Sequence, residues 1–213
     1  MGHKLYLSVS DTQNLCSIWE VDVNNLQGVK QLDMSKVEKR YGWNPIAALG
    51  DMLIYSEGGG CSIFHVFIEG KWKKRIDVGL GFRDVIHLSL SHTFLVIGRF
   101  LNDSLFIMKH DRDGDSVKFS QPNYEPIAAD CGWHALTQDG LFFTTNPKND
   151  KTLIVTEIDP KTGPRKVGNV KSKDDVRCLY PLTTHNEWVA VKVKFTADGK
   201  FKLCLVKPLN KTN

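Results

Sequence analysis

Three short segments of the sequence each join a glycine, an aromatic ring and a polar or charged neighbour. They are Tyr41-Gly42-Trp43-Asn44, Gly81-Phe82-Arg83-Asp84 and Cys131-Gly132-Trp133-His134. Aromatic faces bind apolar groups, cations and sugar rings. Glycine adopts φ > 0 without strain and lets a ligand approach the backbone closely. The chemistry these residues suit is recognition. Trp43, Asn44, Phe82, Arg83, Asp84, Trp133 and His134 are therefore the candidate partner-binding residues. The same aromatics suit a second role, filling the gaps between packed sheets, and both readings stand at this point.

Bond-making chemistry is poorly supported. Asp84 and His87 could act as an orienter and a base, with His92 or His134 nearby and Ser89 as nucleophile. No GxSxG, HExxH, phosphate-cradling or kinase motif accompanies them, so no catalytic residue is assigned and no enzyme is expected. Cys131 and His134 have a CxxH spacing, and Cys61 and His65 a CxxxH spacing. Zinc needs three or four ligands, and nothing in the sequence brings the two pairs together. Asp111 to Asp115 hints at a calcium loop, but its glycine stands fourth and Lys118 follows. A calcium-binding EF-hand loop needs glycine sixth and a later glutamate. The segment reads as a polar hairpin turn. Neither a metal nor a cofactor is expected.

The elements that must position these loops repeat along the chain. Five segments share one pattern: an apolar strand, a turn rich in Gly, Asn and Asp, then a second alternating strand. They are Lys4 to Val9 with Cys16 to Val21, Met52 to Tyr55 with Cys61 to Val66, Phe94 to Ile97 with Asp103 to Met108, Leu141 to Thr144 with Lys151 to Thr156, and Trp188 to Val191 with Phe201 to Val206. Anchored on Ile18, Ile63, Leu105, Leu153 and Leu203, the steps are 45, 42, 48 and 50 residues. That period matches one four-stranded blade of a β-propeller.

A basic strand follows each of the first four pairs, at Gly28 to Leu32, Lys71 to Ile76, Ser116 to Phe119 and Pro164 to Val167. Charge at a sheet edge blocks edge-to-edge pairing, so these are expected outermost. A strand of small residues precedes each later unit, at Ile46 to Leu49, Ile86 to Leu90, His134 to Thr137 and Arg177 to Tyr180. These are expected innermost, with the most apolar strands between, buried on both faces. The best helix candidate, Met34 to Arg40, is expected to be a polar connector.

Lys151 to Gly163 and Cys16 to Asp22 resemble the third strand and following turn of a tryptophan–aspartate (WD) repeat. The resemblance covers nearly the whole chain as a pattern. The Trp-Asp dipeptide is absent from all five units and no Gly-His dipeptide precedes an inner strand, so none of the family's residues is carried over. In size and unit count the chain also resembles tachylectin-type five-bladed lectins. The expected fold is all-β: one domain over residues 1–213, a five-bladed β-propeller of about 43-residue WD-like repeats with incomplete first and last blades. The expected function is a protein–protein interaction module that presents loops at the channel mouth. A carbohydrate-binding lectin is the alternative, and a propeller-type hydrolase ranks third.

The first unit lacks an inner strand and the last an outer one. An unpaired edge along Phe201 to Leu205 would invite strand addition by a protein or peptide partner, or a homodimer. Overall charge adds little. The 213 residues are 41% hydrophobic and 24% charged, with a net charge of +4. That is globular composition, and its weak positive balance makes nucleic acid an unexpected partner. The five cysteines are odd in number and form no CxxC, so reduced thiols are expected. No signal-peptide core is evident at the N-terminus. The longest uncharged stretch, Val85 to Gly98, has 14 residues, too few to span a bilayer. A cytoplasmic or nuclear location without membrane association is expected.

Overall fold

Short apolar runs separated by turn residues satisfy their backbone groups most simply by pairing with the next run along the chain. The computed structural model describes residues 4–13, 15–22, 24–38, 45–57, 63–77, 85–99, 104–120, 127–128, 134–136, 140–146, 149–159, 161–171, 181–184, 187–195 and 201–206. Within them the chain is all-β and forms five sheets. No helix among the described residues is long and apolar enough to cross a membrane.

Sheet one runs β1 (Lys4–Ser10), β2 (Cys16–Asp22), β3 (Asn25–Gln31). Sheet two runs β4 (Ile46–Leu49), β5 (Met52–Ser56), β6 (Ile63–Ile68), β7 (Lys71–Asp77). Sheet three holds β8 (Val85–Leu90), β9 (Phe94–Arg99), β10 (Ser104–Asp113) and β11 (Ser116–Ser120), and the short β12 (Ile127–Ala128) also pairs with β10. Sheet four runs β13 (His134–Leu136), β14 (Leu141–Asn146), β15 (Asn149–Asp159), β16 (Gly163–Lys171). Sheet five runs β17 (Pro181–Thr184), β18 (Glu187–Phe195), β19 (Phe201–Val206). Sheets one, two, four and five are antiparallel throughout. Apart from β12, the strands of each sheet follow chain order, as the repeat predicts, and among the described residues no sheet closes on itself.

The basic strands β7 and β16 sit at sheet edges and the apolar β5 and β6 sit inside, where all of β5 is buried. The inner strand of the last unit, expected at Arg177 to Tyr180, lies outside the described residues, and the first described strand of sheet five is β17. Thr184 pairs with Glu187, leaving two residues between the strands, the connection that a tight hairpin favours. The Met34 to Arg40 connector is neither helical nor wholly polar over its described part. Asp33 Oδ1 accepts the Ser35 N–H at 2.9 Å, and the Val37 N–H reaches the Met34 carbonyl at 3.0 Å. That turn drives both Met34 and Val37 into the core. The Asp111 to Asp115 segment is the expected hairpin tip, with Gly114 at φ 56°.

The chain divides into two compact units. The first comprises Met1–Leu88, Ile97–Leu101 and Arg112–Lys118; the second comprises Ser89–Val96, Asn102–Asp111 and Phe119–Asn213. In the first, Tyr6, Cys16 and Ile18 of sheet one, joined by Leu32, Met34 and Val37, pack against Leu53, Tyr55 and Phe67 of sheet two. In the second, Phe94, Val96 and Ile107 pack with Leu136, Phe142 and Ile158. Both cores join side chains from two successive sheets, because a single sheet cannot cover its own apolar face.

Candidate functional site

Of the sequence-predicted binding residues, Trp43, Asn44, Phe82, Arg83, Asp84 and Trp133 lie outside the described residues. His134 opens β13, where its backbone pairs with Thr144. The strands that follow the three Gly-aromatic segments are β4, β8 and β13, and each is the first strand at one edge of its four-strand array. The three segments therefore enter successive sheets at the same position in the strand order. Of the residues weighed for catalysis, Ser89 is buried on β8 and His92 is exposed in the turn after it.

The most developed polar arrangement is one that sequence reading did not single out. His65 lies on β6 between Phe64 and Val66, opposite Tyr55 of β5 and Arg75 of β7. Its Nε2 is 2.7 Å from Glu57 Oε1, and Trp72 Nε1–H donates to its Nδ1 at 3.0 Å. An indole can only donate, so Nδ1 is the acceptor and Nε2 carries the proton given to Glu57. The His65 and Glu57 side chains are wholly shielded from solvent. Tyr55 and Trp72 flank the imidazole, with ring centroids 6.2 and 6.5 Å away. Both ring nitrogens are engaged, which leaves no lone pair for a metal or a substrate proton. The chain Trp72–His65–Glu57 is a buried polar network that ties β7, β6 and the end of β5 together. A histidine at an inward position of an apolar strand, with a glutamate closing the preceding strand, was the available signal.

A second buried imidazole belongs to the other unit. His110 Nε2 donates to the Ser91 carbonyl at 2.7 Å, and the ring lies 5.8 Å from that of Phe119. Ser91 Oγ accepts the Phe94 N–H at 2.9 Å, so one turn holds both groups. His110 Nδ1 is buried with no hydrogen-bond partner among the described residues. Burial pushes the imidazole below its ordinary value, and nearby His92 pushes it the same way, against the opposing Ser91 carbonyl and Asp111. The folded protein therefore binds fewer protons than the unfolded chain, and this site's contribution weakens as pH falls below about 6.5. His110→Gln, which keeps a donor for Ser91, is expected to flatten that slope. Denaturant unfolding of both proteins from neutral to acidic pH is the measurement. Equal slopes would refute the assignment.

The hairpin tip between β10 and β11 is held by ions. Arg112 grips Asp51 with both terminal nitrogens, one at 2.9 Å, and Lys73 pairs with Asp115. Hydrogen bonding from Arg112 holds the Asp51 carboxyl below the usual range. Both residues are partly exposed, so the pair contributes on the order of 1 kcal/mol or less.

No protein-family model matches the chain, and no curated protein does. Solved structures do. A functionally unknown protein from Desulfotomaculum acetoxidans aligns over 93% of this chain and 68% of its own, with TM-score 0.55 and 9% identity. Hsv2 of Kluyveromyces lactis aligns over 92% and 58%, with TM-score 0.51 and 17% identity. The computationally designed protein Ika8 aligns over 94% and 55%, with TM-score 0.51 and 12% identity. These likenesses concern the fold alone. The chain spans little more than half the length of Ika8 and Hsv2.

Proposed function

We propose that the five sheets are successive blades of a WD-like β-propeller and that the chain is a protein-interaction module. Its binding face would be the Gly-aromatic segments around Trp43, Phe82 and Trp133. The observation that carries this reading is the shared place of β4, β8 and β13, each the edge strand that one of those segments enters. The chain-order strands of each sheet and the recurrence near 45 residues support it. So does the continuous burial of β5, as expected for a strand covered by sheets on both sides. The mechanism is rigid presentation. Sheets locked by cores and buried polar chains give these segments fixed anchor strands, which would limit the ordering entropy that opposes binding.

The triple substitution Trp43→Ala, Phe82→Ala and Trp133→Ala tests it. Affinity capture from a native extract with the wild-type chain should recover a protein that the variant loses, with the melting temperature unchanged. An unchanged captured set removes these loops as the binding face. A large drop in melting temperature assigns the aromatics to packing between sheets.

A further inference from the structure

A buried imidazole takes up a proton only if both of its nitrogens then find acceptors. His110, on β10, is 4% exposed, and its Nε2 lies 2.7 Å from the Ser91 carbonyl. A carbonyl oxygen only accepts, so Nε2 carries the hydrogen and Nδ1 of the neutral ring carries a lone pair. Among the described residues nothing bonds to Nδ1. The neutral ring tolerates this. The protonated ring does not, because a buried cation with an unmatched N–H is costly.

The element that holds Nε2 is the turn Ser91 to Phe94, between β8 and β9. The Ser91 N–H donates to the Phe94 carbonyl at 2.8 Å, and Ser91 Oγ accepts from the N–H of Phe94 at 2.9 Å and of Thr93 at 3.3 Å. The backbone of His110 joins in, its N–H donating to the Thr93 carbonyl at 2.8 Å. Ser91 and Phe94 are buried, but His92 between them is exposed. The titratable groups that face the ring are His92 from the turn and Asp111 from β10, while β11 faces it with Phe119. His92 opposes a proton on His110, Asp111 favours one, and burial is the largest influence.

We propose that the Ser91 to Phe94 turn is an acid-operated latch, released when His110 takes up a proton and opening to let water reach Nδ1. The turn is the part that yields, because it is a short, partly exposed segment between strands, whereas Phe119 is fixed on the paired hairpin of β10 and β11. Local opening draws on segments of that kind. A proton on His92, carried by the turn itself, repels the one on His110 and drives release the same way. The closed turn binds the His110 proton more weakly than the open turn does. Opening is therefore favoured as pH falls below about 6.5, the ordinary imidazole value, by up to about tenfold per pH unit.

Amide hydrogen exchange of the full chain tests this, followed by NMR from about pH 8 to about pH 5 and corrected for the intrinsic pH dependence of exchange. Protection at the Ser91, Phe94 and His110 amides should fall below about pH 6.5, and protection along β15 should not follow it. His110→Gln keeps a donor for the Ser91 carbonyl but takes up no proton, so its protection at Ser91 and Phe94 should stay flat. Flat protection in the wild type overturns the proposal. So does an equal fall along β15, which is unfolding of the whole, and so does a pH dependence that survives in folded His110→Gln. If that variant fails to fold by circular dichroism, titration of the His110 ring nitrogens in the wild type decides. The ring must gain its proton over the range in which protection is lost, and a turn that opens while the ring stays neutral overturns the latch. None of these outcomes bears on the Gly-aromatic segments.

Discussion

Replacing His65 with alanine is expected to lower folding stability by about 3–5 kcal/mol, because it leaves the buried Glu57 carboxyl and the Trp72 indole N–H without their shared partner. Glu57 and His65 are fully shielded, and Trp72 closes the chain at Nδ1. Alanine removes the donor to the Glu57 carboxylate and the acceptor for the indole N–H in one step. It also opens a cavity between Tyr55 and Trp72. His65→Gln separates the two effects. Its amide can donate to Glu57 while its carbonyl accepts from Trp72, so more than half of the lost stability should return. Denaturant unfolding of the three proteins, with circular dichroism and tryptophan fluorescence read together, gives the comparison. A loss below about 1 kcal/mol for the alanine variant would show that the network is not closed as described.

Phe67→Ala is expected to cost a similar amount, about 3–5 kcal/mol, through cavity formation alone. Phe67 is fully buried on β6 and belongs to the core where sheet two meets Tyr6, Ile18, Leu32 and Val37. The connector residues Met34 and Val37 are held by a single turn and could partly collapse into the space, which would put the value at the lower end. Such collapse has a second readout. It should leave the protein folded but shift the unfolding midpoint at an unchanged denaturant slope, since the surface exposed on unfolding hardly changes. A change in slope instead would show that sheets one and two had lost their joint core.

Much of the architecture was legible locally. β4 and β19 coincide with the segments that alternation and turn residues mark out, Ile46–Leu49 and Phe201–Val206. Period-two patterning and turn chemistry act over a few residues, so a single sequence carries them. The Met34 connector shows the limit, because a turn held by Asp33 sets Met34 and Val37, expected in a polar segment, into the core. The chemistry of the Gly-aromatic segments could also be read from residue types, while a sequence states no distances between them. His65 shows the same divide. Its weighed partner was Cys61, four positions earlier, whereas the structure engages it with Glu57 and Trp72 across neighbouring strands.

Sheet one makes the division plainest. Alternation along Lys4–Ser10 determines that Leu5, Leu7 and Val9 share one side and that Tyr6 lies on the other. By hydrophobicity alone the three aliphatic residues are the better core candidates. The tertiary structure decided otherwise, covering Tyr6 and leaving the aliphatic row open. Periodicity says which residues share a face. Only packing against a neighbour decides which face water loses.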